Sequence, residues 1–379
     1  MDFELTPEQR AMRELARRVG DEFRERAAEV EASGRFPWEN IRRLADVGLL
    51  GLTIPPEYGG TGGSLFDAVL VMEEIARGCY VTAMAALGEL GVQSQILARF
   101  ADADLKRRVL PRVVRGESIL AIAISEPEAG SDAGHVATRA EPVAGGVRLR
   151  GNKIYISRAD VADVFIVYCR FGDAPGPRGV GAVAVERDTP GFFVTSCDTT
   201  MGGERLGQLF FDDCFVPDDH VLVRENGFRR MMEAFNGQRL LNAAICLGLA
   251  QGALDEAVAY ARRRRQFDRR LADFQGLRWM LADMHVDVEA ARLLIWRAAA
   301  RAGQGFPDVR EAAVAKTFAN EMAIRVTNQA LQVFGAAGYM RGSYVERALR
   351  GARFGAIGGG TVQIQRNLIA HHLLDEPGS

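Results

Sequence analysis

The sequence predicts a mainly α protein with a central β domain, an α+β chain running helix, sheet, helix. Three observations carry this. Apolar residues recur at helical spacing from the N-terminus to about residue 115. The period shortens over 119–211, where short β-branched or aromatic runs alternate with turn residues. After Gly227 long helical stripes return. The domains expected are 1–118, 119–226 and 227–379.

Thr6-Pro7-Glu8-Gln9 opens the first helix: Thr6 can cap, Pro7 suits the first helical position, and Gln9 completes a capping box. Met12, Leu15, Val19, Phe23 and Ala27 follow at helical spacing. Further helices are expected over 37–49, 65–77, 81–101 and 104–115. The glycine-rich stretch 54–64 lacks the Lys-Ser/Thr of a phosphate-binding loop and reads as a turn-rich connection. Strands of an antiparallel sheet are expected over 119–124, 154–157, 164–168, 181–185, 192–195 and 208–211, divided by breakers such as Asp173-Ala-Pro-Gly-Pro177. Three later stripes are Leu247, Ala250, Leu254, Val258 and Ala261; Leu277, Leu281, Met284, Val288, Ala291, Ile295 and Ala298; and Val314, Phe318, Met322 and Val326. They suit a four-helix bundle packing through several faces, which points to a subunit interface as well as a core.

With 379 residues, 48% of them apolar, the chain can bury a sizeable core. A formal charge of −2 argues against a general electrostatic grip on nucleic acid. Five scattered cysteines without a Cys-x-x-Cys pair read as reduced thiols of a cytoplasmic protein. The sequence predicts neither export nor a membrane span. No His/Asp/Glu set has ligand spacing, so no metal is expected.

Five strings carry chemistry. Ser125-Glu-Pro-Glu-Ala-Gly-Ser-Asp132 is a polar turn at a strand end, with hydroxyls and backbone amides available. Gly151-Asn-Lys-Ile-Tyr-Ile-Ser157 is an amphipathic strand with one aromatic. Arg262-Arg-Arg-Arg-Gln-Phe267 ends a helix in a basic last turn that favours the helix dipole. Gln332-Val-Phe-Gly-Ala-Ala-Gly-Tyr339 offers small residues for close backbone approach, and Ile357-Gly-Gly-Gly-Thr-Val-Gln363 a flexible turn.

In this order the five strings resemble those of the acyl-CoA dehydrogenase family of flavoproteins, and the likeness covers essentially the whole chain. The resemblance implies an N-terminal helical domain, a middle β domain and a C-terminal four-helix bundle. It also implies a homotetramer, a dimer of dimers, with FAD shared across a dimer interface, and an acyl-CoA or acyl-carrier-protein thioester as substrate. Ile122, Ile124 and Ser125 would meet the flavin ring, and Ser131 would lie where substrate and cofactor meet. Tyr155 would pack on the flavin, with Ser157 reaching its reactive nitrogen. Arg264 would bind the pyrophosphate of a neighbouring subunit's cofactor, accompanied by Phe267 and Gln275. Gln332, Gly335, Thr361 and Gln363 complete the cofactor set. Phe235, Arg239 and Gly360 join Ser131 on the substrate side.

The departures from the family pattern are as informative. Arg158-Ala159 replaces asparagine-glycine; Asp268 and Ala336 replace glycines; Arg350-Gly351 replaces arginine-aspartate; Asn236 replaces a frequent aspartate. Above all, the glutamate that removes a proton beside the thioester carbonyl stands in the family at one of two positions. Here these are Gly359 and Gln238. Neither is a base. Gly359 keeps a backbone amide for the substrate carbonyl, and Gln238 keeps a polar side chain. The resemblance still implies an FAD-dependent dehydrogenase-type oxidoreductase, with an altered base and γ,δ regiochemistry: Glu89, on the expected helix 81–101, is a candidate base for a γ proton of an α,β-unsaturated substrate. A redox-neutral elimination is the alternative, because the C-terminal third is similar to 3-sulfinopropionyl-CoA desulfinase. That enzyme's substrate is expected to need an arginine where this chain has Met84. A non-catalytic flavin- or acyl-thioester-binding protein is the third reading.

Overall fold

The computed structural model describes residues 4–224 and 227–375. The chain divides into two compact units, each built from discontinuous segments.

One unit comprises Met1–Ser33, Leu65–Met84 and Asn236–Ser379. Helix α1 (Pro7–Ser33) starts on the expected capping box: Gln9 N donates to Thr6 Oγ1 at 3.2 Å and Thr6 N donates to Gln9 Oε1 at 3.1 Å. Its face Ala16, Val19, Phe23 and Ala27 is buried, against a helix that followed α2 (Trp38–Asp46) in the chain, α3 (Leu65–Gly78). Contact is close because Gly20 carries no side chain; a Cβ there would stand 2.5 Å from the Glu74 carbonyl oxygen. Glu73 and Glu74 are buried on α3, held by Arg13, Arg17, Arg77 and Arg292.

The bundle helices of this unit follow α4 (Tyr80–Ala86), α5 (Val92–Phe100) and α6 (Ala103–Val114) in chain order. They are α7 (Phe228–Arg263), α8 (Gln275–Ala302), α9 (Val309–Phe334), the short α10 (Ala336–Tyr339), α11 (Tyr344–Gly355) and α12 (Val362–Leu374). Helix α9 packs against α8, α11 and α12. Helix α7 meets α9 through the stacked rings of Tyr260 and Phe334, 4.2 Å apart, and α8 through Gln251 and Arg292. The buried face of α9 differs from the expected one. Val314 and Phe318 are only half-buried, while Ala312, Ala315, Lys316, Ala319, Asn320 and Ala323 face inward. Small residues let neighbouring helices approach, and a lysine and an asparagine are enclosed among them.

The other unit comprises Gly34–Ser64 and Ala85–Phe235. Its eight strands are β1 (Leu120–Ala123), β2 (Arg139–Val143), β3 (Gly146–Ser157), β4 (Val164–Phe171), β5 (Val180–Glu186), β6 (Phe192–Thr199), β7 (Arg205–Pro217) and β8 (Val221–Val223). They run in the order β6-β7-β3-β2-β4-β5-β8, with β1 also on β4. Most neighbours are antiparallel; β1 and β2 each run parallel to β4. Strand β2 has no counterpart in the expected set, since four of its five residues are exposed and one is Pro142. The sheet's core is Leu149, Phe165, Ile166, Val167, Tyr168, Val183 and Phe211, all nearly fully buried.

The single helix expected over 81–101 is corrected. It is two helices, α4 and α5, interrupted at Leu87–Gly91 by turns that contain Gly88 and Gly91. Glu89 lies in this break rather than on a helical face.

Candidate active site

The first motif is built around a buried carboxylate. Glu126 accepts from Thr138 N at 3.0 Å and from Ala137 N, and from Lys153 Nζ at 2.7 Å. Lys153 is fully buried and also donates to the Ile124 carbonyl at 3.0 Å. Burial pushes Glu126 up, but Lys153 and the amide donors outweigh it and hold the carboxyl below its ordinary value. The loop 125–132 is thus folded by its own glutamate. It leaves Ile122, Ile124 and Ser125 half-buried and Ser131 exposed.

At the far end of β3 the pairing with β7 slips between Lys153 and Ile156. Tyr155 sits in this bulge at φ 57°, a left-handed conformation unusual for an aromatic residue, with its ring 71% exposed. Strain of this kind collects at ligand sites. An exposed ring two residues from the half-buried Ser157 presents the flat apolar surface and the hydroxyl that a planar heterocycle would meet, so these residues fit a flavin.

Arg158 follows, also left-handed at φ 64°, and turns inward. Its Nη1 donates to Glu89 Oε2 at 3.1 Å and to the Ala85 carbonyl at 3.3 Å, while Glu89 Oε1 accepts from Leu120 N at 2.9 Å. Gly88 makes room: a Cβ there would lie 2.3 Å from Nη1. Burial raises the Glu89 carboxyl and lowers the Arg158 guanidinium, each opposed by the other's charge. Glu89 therefore has both oxygens engaged and ties the helix break to β1 and to the end of β3. The candidate base of the sequence reading is held as a clamp, fully buried with a donor on each oxygen.

The basic string ends in a two-residue hairpin, β9 (Arg265–Gln266) to β10 (Arg269–Arg270). Phe267 and Asp268 occupy its turn at φ 51° and 60°, the pattern of a type I′ turn. Asp268 tolerates the left-handed region, which is how the missing glycine is accommodated. Phe267 is 87% exposed at the tip, and Arg264, Gln275, Gln332, Gly335 and Gln363 are exposed as well. Thr361 caps α12, its hydroxyl accepting from Ile364 N at 3.3 Å.

The two positions of the absent glutamate differ. Gly359 and Gly360 are left-handed, at φ 67° and 87°. A Cβ on Gly359 would stand 2.4 Å from Asn242 Nδ2, so Asn242 fills the space a side chain would enter. Gln238, one helical turn earlier on α7, is buried, and its Oε1 has no hydrogen-bond partner. Phe235 is half-buried.

Sequence reading missed what surrounds this glycine turn. Lys316 Nζ donates to the Gly355 and Gly360 carbonyls, both at 2.9 Å. Asn320 donates to Gly355 O, and Gln365 Nε2 to Gly360 O at 3.1 Å. Asn242, Asn320 and Gln365 each keep a buried carboxamide oxygen without a partner. Arg239 donates to Asn236 Oδ1, and its Nε has no partner. Burial lowers Lys316 to about 8 and Arg239 to about 10. The overlooked signal was Lys316 and Asn320, four residues apart in an alanine-rich helix.

Among the described residues no group of three or more His, Cys, Asp or Glu comes together as a metal site. All five cysteines are free, and among the described residues no helix is long and apolar enough to cross a membrane.

Three family models match in succession: acyl-CoA dehydrogenase, N-terminal domain, over residues 6–117; middle domain, over 121–214; and C-terminal domain, over 225–374. The chain is 42% identical to a 3-sulfinopropanoyl-CoA desulfinase of Paraburkholderia xenovorans (strain LB400), covering 99% of this chain and 98% of that protein. Among solved structures it is similar to butyryl-CoA dehydrogenase from Megasphaera elsdenii, with TM-score 0.95 and 33% identity over 99% of this chain and 100% of the other. It is also similar to PigA with FAD and proline, with TM-score 0.94 and 28% identity over 98% and 99% of the two chains.

Proposed function

This chain belongs to the acyl-CoA dehydrogenase family, and on that premise we propose that it is an FAD-dependent enzyme of acyl thioesters whose reaction proceeds without a carboxylate at the second carbon. One observation carries the reading. The family's two glutamate positions hold Gln238 and Gly359, Asn242 fills the space beside the second, and Glu89 is clamped by Leu120 and Arg158.

FAD, when bound, supplies a two-electron acceptor. Tyr155, Ser125, Ser157, Ile122 and Ile124 would hold its ring, and Arg264, Phe267, Gln275, Gln332, Gly335, Thr361 and Gln363 the remainder, in part from a second chain of a homotetramer. Ser131, Phe235, Arg239 and Gly360 would line the acyl group of a CoA or carrier-protein thioester. The Gly359 amide would donate to the thioester carbonyl and favour negative charge on that oxygen. Neither Gln238 nor Gly359 could accept the proton from the neighbouring carbon, a contribution of about 10²–10⁴ in rate where a positioned base exists.

Chemistry that needs no such base fits best. Hydrolytic cleavage of the carbon–sulfur bond in a 3-sulfinoacyl thioester is of this kind. Water oxygen bonds to sulfur, which leaves as sulfite, and the third carbon takes a proton of that water, so none leaves the second carbon. The 42%-identical relative named as a desulfinase supports it. Against that exact substrate stands Met84 in place of an arginine. The second reading, γ-proton removal by Glu89, is favoured only by the carboxyl's upward shift on burial.

The deciding experiment mixes FAD-loaded protein with saturated, α,β-unsaturated and 3-sulfino thioesters, following flavin absorbance, product mass and sulfite. Sulfite release without bleaching supports the base-free reading. Bleaching by a saturated thioester would sink it. Bleaching by the unsaturated thioester alone would favour the γ-proton route, and binding without reaction by all three a non-catalytic role.

A further inference from the structure

We propose that Lys316 and Arg239 form a subsite for an anionic substituent of the acyl chain, so that the substrate is an acyl thioester bearing a carboxylate or sulfinate. The inference rests on the reading that an acyl thioester binds beside the Gly358–Gly360 turn.

It is carried by an imbalance of charge. Lys316 is fully buried and Arg239 is 7% exposed. Their hydrogen-bond partners are neutral: the Gly355 and Gly360 carbonyls for Lys316, and Asn236 Oδ1 for Arg239. Neither forms an ion pair among the described residues. Elsewhere the same unit meets buried charge with opposite charge, as where Glu73 and Glu74 face four arginines. Burying an ion without a counter-charge is costly, so Lys316 and Arg239, each enclosed with no acid paired to it and each felt by the other's charge, are an arrangement that a ligand's charge completes.

Geometry points the same way. Arg239 Nε is buried and unpartnered, a charged donor with nothing in the protein to receive it. Gln238 and Asn242, four residues apart on α7, each carry a buried carboxamide whose oxygen is unpartnered. Turning such an amide end for end presents its NH₂ group instead, so both adapt to an anion without adding negative charge. A family glutamate at 359 or 238 would have placed one carboxylate among these groups. In this chain the substrate brings it.

The test uses full-length, FAD-loaded protein and titration calorimetry with butyryl-CoA, succinyl-CoA and 3-sulfinopropionyl-CoA. One or both anionic thioesters are expected to bind at least about tenfold tighter than the neutral one, the scale of a charge-assisted hydrogen bond. Arg239→Gln is expected to reduce that ratio about tenfold; if this variant fails to retain FAD, Lys316→Met is read in its place. Succinyl- against 3-sulfinopropionyl-CoA identifies the anion preferred. Equal affinity for butyryl-CoA and both anionic thioesters overturns the subsite while leaving the acyl-thioester reading intact. Free succinate or sulfite displacing nothing supports an acyl-borne anion; either one competing as strongly as the thioester assigns the cations to a free anion and overturns the proposal. No binding by any thioester sinks both readings.

Discussion

In the sheet-bearing unit Glu89 meets Arg158 and Glu126 meets Lys153, whereas around the glycine turn of the bundle unit Lys316 and Arg239 have neutral partners alone. Both regions bury ionisable groups almost completely. The first pays for desolvation internally, with each charge matched, and so builds rigid supports for Ser125 and Ser157. The second leaves positive charge without an acidic partner beside the glycine turn. A matched buried pair holds backbone in place; an unmatched one waits for a ligand. The two regions should respond oppositely to substitution.

The largest effect expected comes from adding an acid to the unmatched region. Gln238→Glu is isosteric, and it would place a buried carboxylate on the same turn of α7 as Arg239. If that position supports a base, flavin bleaching by a saturated thioester should rise by about 10²–10⁴ over the unsubstituted protein, measured in single-turnover mixing. The preference for anionic acyl groups should fall at the same time. No gain in bleaching together with an unchanged preference would show that Gln238 does not face the same ligand as Arg239.

Removing a partner from the matched region should cost stability instead. Arg158→Met strands the Glu89 carboxylate, and losses of about 3–5 kcal/mol follow when one member of a buried pair is removed. Glu89→Gln/Arg158→Met should recover much of this, because no charge is then left unpaired. Urea unfolding of the single and double variants checks both. A loss below about 1 kcal/mol for Arg158→Met would mean that water reaches the pair.

Lys316 should reveal itself through pH. Its folded value of about 8 lies below the ordinary 10.5, so the folded state binds fewer protons between the two. Stability therefore rises with pH across that window: the penalty of a buried ammonium is fully present below pH 8 and relieved toward 10.5. Relative to Lys316→Met, the unsubstituted protein should gain on the order of 3 kcal/mol at most from pH 7 to 10.5. A flat difference would place Lys316 in water and remove the unmatched charge from the comparison. Cys246 and Arg239 are the titratable groups acting on it, so the window is read from the difference between the two proteins.

Much of this was legible in the sequence, for reasons specific to each element. The α1 capping box, the interior of β4 and the α8 stripe from Met284 to Ala298 were readable because local chemistry and burial agree there, whereas Leu277 and Leu281 at the start of that stripe are only half-buried. Strand β2 was not, since its exposed charges and Pro142 carry no apolar alternation. Helix 81–101 looked continuous because its composition favours a helix; the break became evident only where Glu89 turns to Leu120 and Arg158. At the candidate site the cofactor strings were readable as strings, and the loss of two glutamates was visible by position. What replaced them was not, because Lys316, Asn242 and Gln365 lie far apart in the chain and converge only around Gly358–Gly360. A lysine among alanines reads as a surface residue until the face it occupies is known.

The smallest effect concerns the other vacated position and separates a closed site from an empty one. Gly359→Ala must adopt φ near 67° and bring its Cβ against Asn242 Nδ2. The left-handed backbone alone costs about 1–2 kcal/mol for a residue with a side chain. The contact adds less, because Asn242 Nδ2 is the far end of a side chain held to the Gly358 carbonyl by one long bond of 3.5 Å. Asn242→Ala should therefore relieve only part of the loss when combined with Gly359→Ala, by urea midpoint. Were Gly359→Ala alone neutral, the turn would be able to reverse its handedness. Position 359 would then be as open to a carboxylate as position 238, and the distinction between a rebuilt site and a merely neutralised one would fail.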